Sequence, residues 1–197
     1  MKEGKISIPS SVQSNEDFDF MMKIILVGES SVGKTNICRR YCFDIFEENS
    51  QPTVSFEAIE NIFMINEHKI KVCLWDTLGQ EKFASVFSQY YRATNGALFI
   101  YDLTNQTSFD KIDQWVQTYK DHGERTKIVK FLVGNKSDDL NNRKINKEKA
   151  LEKVKNLEFD GFYETSALNN ININQLIEDC IKSIYFFLYF LVFFSLF

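Results

Sequence analysis

The sequence is poor in the residues that build zinc sites and disulfide frameworks. It has four cysteines and two histidines in 197 residues. No two cysteines form a C-x-x-C pair, and His68 and His122 lie far from every cysteine in the chain. The spacing therefore argues against both kinds of site, and we interpret the cysteines as buried or half-buried thiols of a reducing compartment.

The N-terminal end lacks a targeting signal, and the chain lacks a basic excess. Residues 1–20 are polar and contain no apolar stretch of the kind found in signal peptides, so we predict a flexible extension. Lys2 occupies the position where N-myristoylation requires glycine. The formal net charge of −4 argues against a nucleic-acid partner, and the length fits one domain.

The C-terminal end lacks charge altogether. Residues 183–197 contain no Asp, Glu, Lys, Arg or His, and eight of these fifteen residues are aromatic. As a helix this stretch is about 22 Å long, against roughly 30 Å of bilayer hydrocarbon. Three interpretations stay open for the tail at 184–197: a short anchor or interfacial segment, the continuation of a buried helix, or the translation of T-rich non-coding DNA.

Between these ends, over residues 21–183, short apolar runs alternate with segments of helical spacing. The runs that predict strands are 21–27, 56–65, 70–75, 97–101, 128–133 and 162–163, with a hairpin turn at 66–69. Helices are predicted after Lys34 and around 109–119, 150–157 and 176–184. This alternation predicts an α/β fold with a six-stranded, mostly parallel sheet that carries helices on both faces.

A phosphate-binding motif follows the first of these strands and opens the first helix. It matches G-x-x-x-x-G-K-[ST] at Gly28, Glu29, Ser30, Ser31, Val32, Gly33, Lys34 and Thr35. The glycines let successive backbone N–H groups converge on phosphate oxygens, and the helix adds the positive end of its dipole. Lys34 is expected to lie between the β- and γ-phosphates, and the Thr35 hydroxyl to ligate Mg²⁺.

Three further motifs follow predicted strands, in a fixed order along the chain. They are WDTLGQ at 75–80, NKSD at 135–138 and ETSA at 164–167. The carboxyl ends of parallel strands are where doubly wound sheets bind ligands. With the phosphate loop, these motifs resemble the Ras superfamily of small GTPases, and most closely its Rab branch. The Rab-like stretches are 75–83, 90–92 and 101–104, and the resemblance covers about 22–183.

The resemblance implies a three-layer small G domain of the P-loop NTPase class that binds GTP and GDP with Mg²⁺. It implies slow GTP hydrolysis and a switch in vesicle and membrane trafficking. The implied partners are an exchange factor, a GTPase-activating protein and effectors at the switch loops. We expect a monomer that is cytoplasmic or peripheral on the cytosolic face of endomembranes. The Rab prenylation cysteines are missing from the last residues of this sequence.

The choice of guanine follows from the chemistry of Asp138. Its carboxylate can accept hydrogen bonds from N1–H and from the 2-amino group of guanine, whereas adenine offers neither donor. A site built to pair such donors rejects the analogue lacking them by about 10⁴ or more. The resemblance assigns the remaining nucleoside contacts to Asn36, Phe46, Asn135, Lys136, Ser166 and Ala167. In the family the asparagine contacts the purine edge, the lysine packs over the base, the alanine N–H meets O6, and the aromatic residue stacks on the opposite face.

The resemblance also assigns residues that read the γ-phosphate. Thr53 reaches Mg²⁺ and the γ-phosphate only in the GTP state, and Asp76 holds the metal. The Gly79 N–H bonds the γ-phosphate, and Gln80 orients the attacking water beside Lys34. Loss of the γ-phosphate releases both switch segments. Charge stabilisation is incomplete without an added arginine, so the resemblance implies slow intrinsic hydrolysis.

Several positions depart from the Rab pattern. Leu78 replaces the usual Ala next to Gly79, which favours an alternative function as a nucleotide-gated binding module with negligible hydrolysis. Ala58 replaces a Phe of the effector-facing aromatic triad, whose other members match Trp75 and Tyr90. These changes also leave open another signalling branch of the Ras superfamily.

Overall fold

The computed structural model describes residues 6–7, 17–48, 57–76, 91–122 and 127–194, without the side chains of 6–7, 57 and 190–194. Within these ranges the elements follow in the order β1 (Ile6–Ser7), β2 (Phe20–Val27), α1 (Lys34–Phe43), β3 (Glu57–Ile65), β4 (His68–Asp76), β5 (Gly96–Asp102), α2 (Gln106–Asp110), α3 (Ile112–His122), β6 (Val129–Asn135), α4 (Lys147–Asn156), β7 (Gly161–Glu164) and α5 (Ile173–Phe194).

The strands form one sheet in the order β1-β3-β4-β2-β5-β6-β7. Strand β2 pairs in parallel with β4 and β5, and parallel pairing continues through β6 to β7. Strands β1, β3 and β4 pair antiparallel. The predicted six-stranded, mostly parallel sheet is confirmed, and β1 adds a short seventh strand.

Strand β1 lies within the segment predicted as a flexible extension. It pairs with the outer edge of β3, with Ile6 opposite Ile65. Phe20 already opens β2, one residue before the predicted boundary, and lies opposite Ile70. Parts of 1–20 therefore belong to the sheet, while the flexibility of the rest stays a prediction.

Both faces of the sheet are buried, as the apolar runs predict. Along β2, Ile24 and Leu26 pack into a core with helices α1 and α5. The intervening Ile25 and Val27 pack into a second core with α2, α3 and α4. This period of two puts a helical layer on each face and leaves the strand ends free to carry loops.

The hairpin between β3 and β4 is tighter than predicted. The turn is Asn66–Glu67 rather than 66–69, because His68 and Lys69 pair with Ile65 and Met64. Asn66 adopts φ 55°, a left-handed conformation that asparagine tolerates in two-residue turns.

The helix predicted around 109–119 is divided at Lys111 into α2 and α3. The Asn105 side chain caps α2 by accepting from the Ser108 backbone N–H. Helix α4 buries Ala150, whereas Leu151, which was expected in the same apolar stripe, is 47% exposed.

Helix α5 runs without interruption through the predicted boundary at residue 183. Ile184 and Tyr185 are buried, and Phe187 and Leu188 pack partly against the same core. The Tyr185 hydroxyl contacts His68 Nδ1 at 3.0 Å. The first part of the aromatic tail thus continues a buried helix. In the described ranges, no helix combines the length and the apolar character needed to cross a bilayer.

Candidate nucleotide site

The phosphate loop connects β2 to α1 at the carboxyl edge of the sheet. Gly28 has φ 151° and Gly33 has φ 98°, conformations that disfavour other residues. A Cβ atom on Gly28 would lie 2.2 Å from the Ile100 carbonyl oxygen, and one on Gly33 would lie 2.3 Å from Asn135 Nδ2. Both glycines are therefore required by backbone conformation and by close packing.

The Lys34 side chain lies buried under this loop, with 6% of its surface exposed. Its Nζ donates to the carbonyl oxygens of Gly28 at 2.9 Å and Glu29 at 2.8 Å. Burial lowers the pKa of Lys34 to about 8, while the carboxylates of Asp76 and Glu29 act in the opposite direction. An anionic phosphate brought to this ammonium group would favour its charged form.

A hydroxyl and a carboxylate meet beside Lys34. Thr35 Oγ1 donates to Asp76 Oδ2 at 2.6 Å, and Asp76 is 2% exposed at the end of β4. In the described residues there is no cluster of three His, Cys, Asp or Glu side chains. The donors fit Mg²⁺, which binds through one or two protein oxygens together with phosphates and water.

Asn135 joins the phosphate loop to the expected base site. Its amide nitrogen donates to the Val32 carbonyl oxygen at 2.9 Å. Its side-chain oxygen accepts from Thr165 Oγ1 at 3.2 Å and from the Ala167 backbone N–H at 3.3 Å. The side chain is 2% exposed, so two loops are fixed to one buried amide.

Side-chain contacts also hold Lys136 and Asp138 of the NKSD motif. The Lys136 ammonium group pairs with Asp102 at 2.6 Å, and Lys136 adopts φ 65°. The Ser166 hydroxyl donates to Asp138 Oδ1, so the carboxylate predicted to read guanine is already oriented by the ETSA motif. The structure thus brings Asn135, Asp138 and Ser166 together.

Arg40 is a site residue that the sequence analysis missed. Its Nε donates to the Ala167 carbonyl oxygen at 2.9 Å, and its Nη2 donates to the Leu168 carbonyl oxygen at 3.2 Å. Arg40 lies on α1, 127 residues before Ala167. Its position in the last turn of a helix carries no local signal of this contact.

Two predicted nucleotide residues have structural contacts. The Asn36 side chain donates to the Glu47 carbonyl oxygen at 2.9 Å and accepts from the Glu47 backbone N–H at 3.0 Å. It thereby fixes the segment that carries Phe46. The half-buried Phe46 ring packs against the α1–α5 core, and its stacking on a base stays a prediction.

The remaining predicted residues divide into two groups. Ser30 and Ser31 are exposed in the phosphate loop, and Val32 is buried. Three residues lie outside the described ones although we expect them to contact the γ-phosphate or the attacking water: Thr53, Gly79 and Gln80. Leu78 and Tyr90 also lie outside the described residues. Ala58 is exposed and lies opposite Trp75 in the β3–β4 register.

Comparison with known proteins decides the family. The Ras family model matches residues 23–186. The chain is 37% identical to Ras-related protein Rab-25 of Bos taurus, over 88% of this chain and 80% of that protein. It is 34% identical to Ras-related protein RABA1g of Arabidopsis thaliana, over 89% and 80%. It is 35% identical to GTP-binding protein ypt3 of Schizosaccharomyces pombe, over 86% and 78%.

The chain belongs to the Ras family. The Rab-named relatives make it a Rab-like member, and hence a small GTPase of the branch that works in membrane trafficking. The match at 23–186 includes the phosphate loop, Asp76 and the base-site residues from Asn135 to Ala167. Ras-family membership thus gives the cleft described above its ligand class, the guanine nucleotides.

Proposed function

We propose that this Rab-like GTPase binds GTP and GDP together with Mg²⁺, slowly hydrolyses GTP, and thereby switches a step of vesicle transport. The observation that carries the proposal is the convergence of a buried lysine, an oxygen pair and a base-reading carboxylate at one edge of the sheet. These groups are Lys34, Thr35 with Asp76, and Asp138.

At the phosphate end, Lys34 exchanges its two carbonyl partners for phosphate oxygens when the nucleotide enters. Its ammonium group is already desolvated, so little water has to be displaced from it. Thr35 and Asp76 hold Mg²⁺, which supplies charge neutralisation on the phosphates. The Thr35–Asp76 hydrogen bond of 2.6 Å supports this assignment because it places the two oxygens next to each other.

At the base end, Asp138 accepts from the two donors on the guanine edge. The Ser166 hydroxyl keeps one carboxylate oxygen in place, and the Ala167 N–H becomes the donor for O6. A base without the two donors leaves this carboxylate unpaired, which accounts for the rejection of adenine.

For hydrolysis we assign Gln80 to the water, and Thr53 and Gly79 to the γ-phosphate, from the family resemblance. The water oxygen bonds to the γ-phosphorus, the bond to the bridging oxygen breaks, and GDP and inorganic phosphate leave. Without an added arginine the reaction is slow, with a half-time of roughly half an hour by comparison with relatives. A GTPase-activating protein supplies the missing charge.

The direct test uses the full chain loaded with GTP in Mg²⁺ buffer, with the bound nucleotide separated by anion-exchange chromatography. We expect GTP to become GDP, excess ATP to leave the bound nucleotide unchanged, and EDTA to speed nucleotide release. Binding of ATP in preference to GTP would refute the guanine assignment. An absence of any EDTA effect would refute the Mg²⁺ assignment.

Leu78 favours a second candidate function, a nucleotide-gated binding module with negligible hydrolysis. Its side chain is larger than the alanine usual next to Gly79. Under this alternative, Leu78→Ala raises the single-turnover rate of bound GTP while leaving nucleotide affinity unchanged. Equal rates in the two proteins would remove the argument for the alternative.

The transport role predicts a cytosolic protein that gathers on endomembranes in its GTP state, where exchange factors and effectors act. Cell fractionation of the tagged full chain tests this role. We expect the chain in the endomembrane fraction and a Lys34→Met variant, whose nucleotide binding is strongly weakened, in the cytosol. An equal distribution of the two proteins would count against a nucleotide-controlled transport function.

A further inference from the structure

Glu29, the second residue of the phosphate loop, is bonded to a distant helix. The Lys111 ammonium group lies 2.8 Å from Glu29 Oε2, and the Trp115 indole N–H donates to Glu29 Oε1 at 3.2 Å. Lys111 precedes α3 and Trp115 lies within it, 82 and 86 residues after Glu29. Both carboxylate oxygens are therefore occupied.

This contact is shielded from solvent. The Glu29 side chain is 17% exposed and the Lys111 side chain 33%, while Trp115 is 4% exposed. Solvent therefore screens the pair less than an ion pair on the open surface. The geometry fixes a negative charge inside the loop that must receive a polyanion, and it places one cation against that charge.

The same residue also contacts the phosphate-binding lysine. The Glu29 backbone carbonyl oxygen accepts from Lys34 Nζ at 2.8 Å. The position of Glu29 thus affects where the Lys34 ammonium group lies. The contacts with Lys111 and Trp115 in turn fix the position of the Glu29 side chain. The phosphate-loop motif leaves this position open, so an acidic side chain here needs a cation of its own beside it.

We propose that Lys111 is a positioning residue that neutralises Glu29, so that the phosphate loop can accept a triphosphate. The proposal rests on guanine-nucleotide binding by this site and adds a residue to it. Without Lys111, the Glu29 carboxylate repels the bound phosphates. The affinity for GTP then falls more than the affinity for GDP, because GTP carries more negative charge. Trp115 keeps the carboxylate oriented toward Lys111.

The test compares the full chain with Lys111→Met, Glu29→Gln and the double variant, by calorimetric titration with GTP and GDP. Methionine keeps the length of the stem, and glutamine keeps the backbone carbonyl and an acceptor for Trp115. We expect K111M to weaken GTP binding about tenfold and GDP binding about threefold, with smaller losses at high salt. The double variant should return to within about threefold of the parent chain for both nucleotides.

Lys120→Met is the matched control, since it removes an exposed cation from α3, the helix that Lys111 precedes. It should bind both nucleotides as the parent chain does. Melting temperatures of the nucleotide-free variants show whether a loss of nucleotide affinity comes from a loss of folding stability.

Unchanged affinity in K111M would overturn the proposal, and so would a double variant as weak as K111M, because a packing role is not rescued by removing the charge. Failure of the parent chain to bind either nucleotide would instead refute the function on which the proposal rests.

Discussion

The two halves of the nucleotide cleft are built differently. In the base half, side chains from several elements bond to one another before any ligand enters: Asn135 bonds two other loops, Ser166 orients Asp138, and Arg40 holds the Ala167 carbonyl. In the phosphate half, the buried ammonium group of Lys34 rests on carbonyl oxygens of its own loop, and Thr35 donates to Asp76 beside it.

This difference assigns recognition of the base to one half and the response to the γ-phosphate to the other. The base half can select guanine in both nucleotide states, because its hydrogen bonds do not depend on the number of phosphates. The phosphate half has to exchange internal partners for ligand atoms, so its energetics follow the charge of the ligand. Substitutions in the base half should therefore change the selectivity for guanine, and substitutions in the phosphate half should change the affinity for the phosphates.

The largest effect is expected at the buried cation of the phosphate half. Lys34→Met should weaken GTP and GDP binding by about 2–5 kcal/mol, roughly 30-fold to several-thousandfold, because it removes a desolvated charge that faces the phosphates. Calorimetric titration measures the loss. Lys155→Met, an exposed cation on α4, is the control and should bind normally.

In the base half, Asp138→Ala should change selectivity more than any substitution in the phosphate half. The preference for GTP over ATP should fall from about 10⁴ to below about 10², because the acceptor for the guanine edge is lost. Competition binding with the two nucleotides measures the ratio. Asp139→Ala, the adjacent carboxylate that bonds Asn142, should keep the preference. A preserved ratio in D138A would place the base elsewhere.

Gly33→Ala is a substitution in the phosphate half that should also affect the base half. The new Cβ would meet Asn135 Nδ2 at 2.3 Å, so a change in the phosphate loop should displace a base-site residue. Strain at φ 98° adds to this clash, and we expect a loss of about 1–3 kcal/mol in stability and in affinity for GDP.

Urea unfolding and calorimetry measure these two losses. Gly161→Ala on the edge strand β7, where the contact with the Phe131 ring is 3.0 Å, should leave the GDP affinity unchanged. If the G33A protein kept the parent affinity for GDP, the contact between Gly33 and Asn135 would not couple the two halves.

The smallest effect is expected at Arg40. Arg40→Met removes two hydrogen bonds to the carbonyls of the base loop, together with the exposed bonds to Asp44. We expect the loss of the two base-loop bonds to be about 1–2 kcal/mol and to speed GDP release roughly 5- to 30-fold. Release of radiolabelled GDP measures the rate. The neighbouring exposed pair offers the control, Arg39→Met, since among the described residues the Arg39 guanidinium contacts Glu47 and no group of the base loop. Equal release rates in the two variants would contradict the role of Arg40.

Local patterns made most of the fold predictable. The apolar run before Gly28 and the helical spacing after Lys34 placed the phosphate loop between β2 and α1, because periodicity reports which faces are buried. The motifs at 135–138 and 164–167 follow β6 and β7 as expected. The prediction for α4 was wrong at Leu151, since the helix packs through Ala150 and leaves the next residue in solvent.

The unpredicted contacts all join residues that are distant in sequence. Arg40 meets Ala167 across 127 residues, and Lys111 meets Glu29 across 82. Helical or strand periodicity tells which face a residue occupies, and not which loop crosses over that face. The two-residue strand β1 escaped prediction for a related reason, because two residues are too few to display alternation.

The location of the tryptophans has a practical consequence. The sequence has two tryptophans, and each is adjacent to a residue of the nucleotide site, Trp75 in the chain and Trp115 through a hydrogen bond. Trp75 immediately precedes Asp76 at the end of β4, and the Trp115 indole donates to the carboxylate of the phosphate loop. Indole emission depends on its hydrogen bonds and on nearby charge. The protein therefore carries its own optical reporter, and nucleotide exchange should be visible in its ultraviolet fluorescence without any attached dye.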